Sequence, residues 1–192
     1  MDESGYGSEP ASLALILART NAIGFTMASE PSTGALLRTL AAAKPNGRFL
    51  ELGTGTGSAT AWILDGMDTR SGLTSVDADP AVQSIAAEVL GDDQRLNLVA
   101  QDALVFLRNE KSESYDFVFA DAMPGKYEGL DEALRVVRAG SFYVIDDMLP
   151  QPSWPPGHAE KADRLLAELA ISKEFRVVPM AWSTGVVIAV KR

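Results

Sequence analysis

Acidic side chains stand at the ends of several short apolar segments in this 192-residue sequence. Apolar runs of this length predict buried strands, and the carboxyl ends of parallel strands share the edge of a sheet at which ligands bind. Each aspartate alone could instead cap the helix that follows it, which is the simpler explanation for Asp102 and Asp77. As a set, carboxylates at one edge repel each other unless a ligand or cation lies among them, so the set predicts a binding site. Its members are Glu51, Asp77, Asp102, Asp121, Asp146 and Asp147.

A glycine-rich turn separates the first strand of the predicted sheet from the helix after it, and reads Glu51-Leu52-Gly53-Thr54-Gly55-Thr56-Gly57. Glycines permit a tight turn and let a ligand approach the backbone closely. A dinucleotide-binding fingerprint would place its third glycine at position 58, where this chain has Ser58. Asp77 lies 24 residues beyond Gly53 and can accept hydrogen bonds from ribose hydroxyls. The segment therefore predicts a site for a cofactor that contains a nucleoside.

Helices and strands are predicted to alternate along the chain. Apolar residues at helical spacing predict two amino-terminal helices, at 11–24 and 32–43. Strands are then expected at 48–53, 73–77, 96–101, 117–121 and 141–146, and helices at 56–66, 80–90, from 102, at 127–138 and at 158–172. This alternation favours a parallel sheet with right-handed crossovers and with helices on both faces.

The last two strands break the alternation. Phe175–Met180 and Val186–Lys191 are joined by residues 181–185, a connection too short for a parallel crossover, so we expect an antiparallel hairpin. The predicted fold class is α/β: a doubly wound, Rossmann-like, seven-stranded, mostly parallel sheet with a C-terminal antiparallel strand and helices on both faces. A single domain over 1–192 is expected, with amino-terminal helices in 1–45 and the Rossmann-like core in 46–192.

Composition excludes several classes of function. The 26 acidic and 17 basic residues give a formal net charge of −9, which argues against a nucleic-acid partner, since such binding depends on basic side chains. The absence of cysteine excludes thiolate metal sites and a cysteine nucleophile. No apolar run approaches the roughly 18 residues of a membrane helix, and Met1–Pro10 lacks the features of a secretory signal. We therefore expect a cytoplasmic protein without a membrane partner.

The sequence resembles class I S-adenosylmethionine-dependent methyltransferases, and within them the catechol and caffeoyl-CoA O-methyltransferase family. The likeness runs from about Phe25 to the carboxyl terminus. Its first-strand motif specifies only the wide class, whereas Asp121 together with the Asp146-Asp147 pair points to the narrower family. The segments that carry it are Met27 with Gly34, Glu51-Leu52-Gly53, Val76-Asp77-Ala78, 117–121 followed by Tyr127, 144–147 and the terminal hairpin.

The resemblance implies S-adenosylmethionine as cofactor and assigns its contacts. Met27 and Ser29 would flank the methionine part, which the glycine-rich turn would also approach. Asp77 and Ala78 would hold the ribose and adenine, with Asp102 and Ala103 near the adenine. The full set of implied cofactor contacts is Met27, Ser29, Glu51, Gly53, Gly55, Gly57, Ser58, Asp77, Ala78, Asp102, Ala103 and Asp121.

The family's metal ligands fall on Asp121, Asp146 and Asp147, although the third ligand is usually asparagine. Ligands that offer only oxygen favour magnesium, calcium or manganese. Such a cation could chelate two adjacent acceptor oxygens and lower the pKa of the bound hydroxyl. In the plainer alternative, the three carboxylates solvate a loop and cap helices without a metal.

The catalytic base is left open by the sequence. Catechol-type enzymes carry a lysine three residues after the first metal aspartate, but this chain has Pro124 there. Lys126, five residues after Asp121, could substitute if its pKa were lowered, or it could be a solvated lysine. His158 is expected at the surface or at the rim of the site. Trp154, and in the same way Trp182 of the final connection, is either a substrate wall or a packing residue.

Together these features predict an O-methyltransferase that acts on a small hydroxylated, aromatic acceptor with help from a divalent cation. In methyl transfer from a sulfonium, the protein chiefly holds the acceptor oxygen in line with the methyl group. The alternatives are a metal-independent methyltransferase, a nicotinamide-dependent dehydrogenase and a silent nucleotide-binding module. A homodimer is also left open.

Overall fold

Strands and helices alternate along the chain in the computed structural model, which describes residues 7–152 and 154–192. None of the helices in this part of the chain is both long enough and apolar enough to cross a membrane. The elements in chain order are α1 Leu13–Ala22, α2 Pro31–Ala42, β1 Arg48–Leu52, α3 Ser58–Gly66, β2 Gly72–Asp77, α4 Pro80–Leu90, β3 Leu96–Ala100, α5 Ala103–Asn109, β4 Tyr115–Ala120, α6 Met123–Lys126, α7 Leu130–Val136, β5 Val137–Ile145, α8 His158–Ala170, β6 Phe175–Met180 and β7 Val186–Lys191.

The described strands form one seven-stranded sheet in the order β3-β2-β1-β4-β5-β7-β6. β1 pairs in parallel with both β2 and β4, whereas β7 runs antiparallel to β5 and β6. The predicted fold class is confirmed, including the terminal hairpin. Because the chain adds strands to one side of β1 and then to the other, the strand order reverses between β1 and β4. Ligands of doubly wound sheets bind outside the carboxyl ends of the strands at this point.

Side chains that alternate along the strands pack against helices on opposite faces of the sheet. On one face, Leu50 and Val118 share a buried cluster with residues of α5, α7 and α8. On the other face, Phe49 and Phe117 share a cluster with residues of α2 and α3. Glu51 follows Leu50 and therefore points to the face of α3, although it is a carboxylate in the middle of a core.

The helix predicted at 127–138 is shorter in the structure than expected. The chain instead forms a short turn at α6, resumes as α7 at Leu130 and enters β5 at Val137. Gly129 adopts a left-handed backbone conformation with φ of 65° just before α7, which ends any continuous helix from Tyr127. Pro124 and Gly125 have non-helical angles inside α6, so the segment between β4 and α7 is largely a turn.

Candidate active site

At two glycines of the turn after β1, a side chain would collide with neighbouring atoms unless those atoms moved. Gly53 has a φ of 100°, and a Cβ on it would lie 2.7 Å from the carbonyl oxygen of Asp121. Gly57 precedes α3 with a φ of 95°, and a Cβ there would lie 2.8 Å from the Cβ of Ala86. The turn is therefore pressed against the end of β4 on one side and against α4 on the other. This close approach leaves its backbone as the lining of the crevice.

Glu51 supports this turn through a network of buried hydrogen bonds. Its carboxylate is completely buried, and Oε2 accepts hydrogen bonds of 2.5 Å from both Thr60 and Ser75. The Ser75 hydroxyl lies 2.6 Å from Thr54 of the turn, which also accepts a bond from Gln83. Oε1 has no partner among the described residues, and burial raises the pKa of Glu51 to about 7.

Sequence reasoning missed the polar side chains that complete this network. Thr60 lies inside a buried helix and Ser75 inside a buried strand, and both are essentially inaccessible. A buried hydroxyl needs a hydrogen-bond partner. Polar residues within otherwise apolar elements were thus the available signal. Glu51 supports the turn, and its cofactor contact, which the resemblance implies, stays a prediction.

Asp77 stands at the opposite lip of the turn. Its Oδ2 accepts a 2.7 Å bond from the Gly55 amide, and its Oδ1 accepts one from the Asp79 amide. Ala78, next to it, is exposed. The Asp77 carboxylate thus fixes the turn. The expected ribose contact through Asp77 and Ala78 stays a prediction.

Asp102 caps a helix, as the simpler explanation had it. Its carboxylate accepts a 2.9 Å hydrogen bond from the amide of Val105 at the start of α5, and Asp102 is exposed. Ala103 beside it is buried. The cap accounts for this aspartate without a ligand, and the adenine contacts of Asp102 and Ala103 stay predictions.

The segment before α2 approaches the same crevice from above. The Ser29 hydroxyl donates a 3.1 Å bond to Oδ2 of Asp121, and Ser58 donates a 3.5 Å bond to the Ser29 carbonyl. Met27 leaves 75% of its surface exposed. The structure thus brings Ser29, Ser58 and Asp121 together, while Met27 stands free at the surface.

Three aspartates follow β4 and β5 at adjacent positions of the sheet edge. The Asp121 amide donates to the carbonyl of Leu52, and the Asp146 amide donates to the carbonyl of Ala120. Asp146 is buried and accepts bonds from the Thr184 hydroxyl at 2.6 Å and from the Asp147 amide at 2.8 Å. The expected clustering of Asp121, Asp146 and Asp147 at one edge is therefore what the strand register produces.

Burial and nearby negative charges raise the pKa of Asp121 and of Asp146. Burial raises the pKa of Asp121 well above its usual range, and the charges of Asp146 and Asp147 raise it further, while Lys126 and the bond from Ser29 act in the opposite direction. Burial also raises the pKa of Asp146, against the bonds from Thr184 and the Asp147 amide. Asp121 and Asp146 therefore hold their protons to higher pH than exposed aspartates do.

Lys126 brings a positive charge into this cluster. Only 5% of the residue is exposed, and its Nζ donates a 2.7 Å hydrogen bond to the carbonyl oxygen of Asp146. The same ammonium lies 5.2 Å from the centre of the Tyr127 ring. Lys126 is therefore neither solvated nor at the surface, and the prediction that it belongs to the site agrees with its position.

The arrangement does not fit a metal centre. Within the described part of the chain, no three carboxylate or imidazole groups converge closely enough to hold a metal ion. The buried Lys126 ammonium donates to the Asp146 carbonyl, and its charge acts to lower the pKa of Asp121, so it would also repel a divalent cation. The metal site expected at Asp121, Asp146 and Asp147 is therefore a prediction that this geometry does not support.

An aromatic group borders the aspartates. The Tyr127 hydroxyl lies 3.1 Å from Nε2 of His158, whose ring meets the Tyr127 ring edge-on at 5.0 Å. Trp154 lies against the other side of His158, with ring centres 4.4 Å apart. Tyr127, Trp154 and His158 are together called the aromatic cluster below. The sequence placed His158 at the rim, but could not show that residues 31 positions apart would form this contact.

Charges of the acidic edge reach the aromatic cluster. Burial raises the pKa of Tyr127 to about 12, with Asp147 and Asp121 adding to the rise. Burial lowers the pKa of His158, and the positive charges of Lys126 and Lys161 lower it further against the effect of Asp147. His158 is accordingly neutral at pH 7. The aromatic cluster thus lies close enough to Asp121 and Asp147 for their charges to influence its pKa values.

Trp182 serves packing rather than this site. Its indole nitrogen donates a 2.9 Å bond to the carbonyl of Ser32, and its ring packs against the buried cluster of α2 and α3. A cavity of about 670 Å³ lies elsewhere, beside Glu113, Arg135 and Lys191 near the opposite edge of the sheet. It includes none of the predicted site residues.

Comparison with known proteins agrees with the fold and the crevice. Residues 50–148 match a family described as a methyltransferase domain. A protein of Mycolicibacterium smegmatis named "Putative O-methyltransferase" is 34% identical over 143 residues, which cover 72% of this chain and 68% of that protein. A protein of the same name from Mycolicibacterium vanbaalenii is also 34% identical over 143 residues, covering 72% of this chain and 63% of its own length.

The architecture is also that of a solved enzyme structure. The O-methyltransferase TomG from Streptomyces achromogenes, solved in complex with S-adenosylmethionine, superposes with a TM-score of 0.82 at 21% identity, covering 98% of this chain and 92% of that one. The family match and the mycobacterial relatives show that the chain belongs to the methyltransferase family. The expectation of a methyltransferase is thereby confirmed.

Proposed function

We propose that the protein transfers the methyl group of S-adenosylmethionine to a hydroxyl oxygen of a small aromatic acceptor. One observation carries the proposal: Asp121 lies where the glycine-rich turn and the Ser29 segment meet. Cofactor and acceptor bound on either side of this point would bring the methyl group and the acceptor oxygen together. The O-methyltransferase names of the relatives support the same reaction.

The glycine-rich turn is the proposed cofactor side. Gly53 and Gly55 leave the backbone open to the methionine part, and Asp77 stands at the lip where a ribose would lie. The acidic edge favours a cofactor that carries a positive sulfonium. Binding of S-adenosylmethionine here leaves its methyl group directed toward the end of β4.

The aromatic cluster is the proposed acceptor side. Trp154 and His158 present stacked rings, and flat aromatic surfaces favour a planar acceptor by offset stacking. A small molecule is preferred over nucleic acid because the chain carries a formal charge of −9. The acceptor is therefore proposed to be an aromatic compound with at least one hydroxyl.

In the proposed reaction, the acceptor oxygen attacks the methyl carbon in line with the departing sulfur. The new C–O bond forms as the C–S bond breaks, and S-adenosylhomocysteine leaves as a neutral thioether. The hydroxyl proton passes to neutral His158. In the tautomer that donates from Nε2 to the Tyr127 oxygen, Nδ1 keeps the lone pair that takes this proton. Divalent-cation assistance, expected from the resemblance, forms no step here because the residues as placed do not gather a metal.

A release assay tests this function. Purified protein is incubated with S-adenosylmethionine and, in parallel, with a dihydroxybenzene, a monohydroxybenzoate and a benzoate that lacks hydroxyls, while S-adenosylhomocysteine is measured. We expect release only with the hydroxylated compounds, with the methyl group found on oxygen by mass spectrometry. Tight binding of a nicotinamide dinucleotide without any binding of S-adenosylmethionine would overturn the proposal.

A further inference from the structure

His158, the single histidine of the chain, is held in one ring orientation by its neighbours. The Tyr127 ring meets it edge-on, with an angle of 84° between the two planes, and the Trp154 ring lies against it with ring centres 4.4 Å apart. Among the described residues, its ring forms a hydrogen bond only at Nε2, where the Tyr127 hydroxyl oxygen lies 3.1 Å away. Of the two ring nitrogens, Nδ1 is therefore the one left for a ligand.

The Tyr127 hydroxyl has a second neighbour, the sulfur of Met148. This Sδ lies 3.8 Å from the hydroxyl oxygen and accepts its hydrogen. Met148 is only 6% exposed, and its amide donates a 2.9 Å bond to the carbonyl of Gly185. A Cβ on Gly185 would lie 2.9 Å from the Met148 carbonyl carbon, so the two segments are in close contact. The thioether is thus fixed beside the hydroxyl, and it can accept a hydrogen bond but cannot donate one.

The number of hydrogen bonds decides which nitrogen of His158 carries the proton. If the Tyr127 hydroxyl donates to Met148, its oxygen accepts from Nε2–H, and two bonds form. If the hydroxyl donates to Nε2 instead, only one bond forms, and the sulfur of Met148 has no donor. A ring nitrogen accepts more strongly than a thioether, but two bonds against one favour the first arrangement. The hydrogen bond at one ring nitrogen sets the protonation of the other, so Nε2 carries the proton.

We propose that Tyr127 and Met148 are positioning residues that hold the proton of neutral His158 on Nε2, which keeps the Nδ1 lone pair free for the acceptor hydroxyl. The inference rests on the proposed function and deepens it, because it names the residues that keep the base in its active form. Neither residue takes up the acceptor proton. When Nδ1 accepts that proton, the imidazolium keeps its bond from Nε2–H to the Tyr127 oxygen. This bond is then charge-assisted and stabilises the imidazolium.

Nitrogen NMR of His158 tests the inference without depending on turnover. Untagged protein is labelled with ¹⁵N-histidine, so that both ring signals belong to His158 alone, and it is measured at pH 8, where the ring is neutral. We expect a protonated Nε2 and an unprotonated Nδ1 in wild type. In Met148→Leu, the Tyr127 hydroxyl loses its sulfur acceptor and donates to Nε2, so Nδ1 should become the protonated nitrogen.

Leucine keeps the volume of methionine, so Met148→Leu changes the hydrogen bond and leaves the packing in place. The matched control is Met67→Leu, at a buried methionine on the opposite face of the sheet, which should keep the wild-type ring signals. Met148→Leu should also lower kcat about tenfold with little change in the KM of the acceptor, because most of the base is then in the wrong tautomer. Met67→Leu should leave kcat unchanged.

A protonated Nδ1 in wild type would overturn the inference, as would a folded Met148→Leu protein with the ring signals of wild type. Should Met148→Leu not fold, Tyr127→Phe decides the matter, since it keeps the ring and removes the hydroxyl. A larger share of protonated Nδ1 in Tyr127→Phe supports the inference, and an unchanged share overturns it.

Release of S-adenosylhomocysteine by wild type separates the two levels of failure. If hydroxylated acceptors cause release but the ring signals contradict the expected tautomer, only the role of Tyr127 and Met148 is wrong. If no acceptor causes release although Nε2 carries the proton, the proposed function is wrong.

Discussion

Single side chains in this protein perform tasks that their types alone leave ambiguous. Glu51 supports the glycine-rich turn through Thr60 and Ser75, and Asp102 caps a helix. The sequence could show that acids end the strands, since strand ends are visible in the apolar pattern. The sequence could not show which acid supports a turn, which caps a helix and which binds a ligand, because these roles depend on the hydroxyl or amide groups that lie nearby in space.

Glu51 should make the stability of the protein dependent on pH. Its pKa is about 7 in the folded protein, against the ordinary 4.5, so the folded state holds the proton more tightly than the unfolded state. The resulting penalty is absent below pH 4.5, grows as pH rises, and reaches roughly 3 kcal/mol above pH 7. Between pH 5 and pH 8, wild type should therefore lose unfolding free energy relative to Glu51→Gln.

Urea denaturation of both proteins at four pH values measures this difference. The exposed Glu168 supplies the control, because Glu168→Gln should follow wild type at every pH. Parallel curves for wild type and Glu51→Gln would contradict the assignment of Glu51 as a carboxyl that is neutral in the fold below about pH 7.

His158 should set the acid limb of the pH profile. Burial and the charges of Lys126 and Lys161 lower its pKa below the ordinary 6.5, while Asp147 opposes them, and the Tyr127 phenol facing it stays neutral because its pKa is about 12. A base acts in its neutral form, so kcat/KM should be lost only as pH falls below 6.5. His158→Gln should remove this limb and lower kcat about 100-fold or more.

Trp154→Phe is the matched control for that measurement, since it keeps a ring against His158 and retains the base. Its acid limb should persist, with the larger change in the KM of the acceptor. An unchanged pH profile in His158→Gln would show that another group takes the proton.

At the scale of elements, two strands and two turns determine the geometry of the site. The register of β1 with β4, and of β4 with β5, places Asp121 and Asp146 side by side. The alternation of apolar strand segments with helices was sufficient to predict these strands and their parallel direction. The segment after β4 was predicted less well, because left-handed Gly129 delays the helix expected at 127–138 until Leu130.

The Gly53 turn should be sensitive to a single methyl group. Gly53→Ala places a Cβ 2.7 Å from the Asp121 carbonyl at a left-handed backbone position, so the ends of β1 and β4 must separate. We expect a loss of about 1–3 kcal/mol in unfolding free energy and a marked weakening of cofactor affinity, measured by thermal denaturation and by calorimetry.

Gly140→Ala separates strain from contact in this experiment. Gly140 also has a positive φ, 72°, but nothing lies within 4 Å of its added Cβ. Gly140→Ala should lower the free energy of unfolding by about 1–2 kcal/mol, because of the left-handed conformation alone, and should leave cofactor affinity unchanged. Equal effects of both substitutions on cofactor affinity would show that the close approach at Gly53 is not what shapes the crevice.

At the scale of the whole molecule, the order of strands creates the crevice. Strands are added to both sides of β1, and the reversal between β1 and β4 coincides with the glycine-rich turn and Asp121. The fold class followed from element alternation and the short final connection. The aromatic cluster did not, since Tyr127 and His158 meet only after α8 packs against one face of the sheet, and that packing leaves no periodic trace in the sequence.

The central claim is that this crevice binds S-adenosylmethionine for methyl transfer. Its most direct test is a calorimetric titration of S-adenosylmethionine into wild type and Gly53→Ala, both in excess chelator. The account predicts saturable one-to-one binding to wild type that is not improved when magnesium is restored, and severely weakened binding to Gly53→Ala. Absence of binding to wild type in both conditions, or binding that appears only with magnesium, would contradict it.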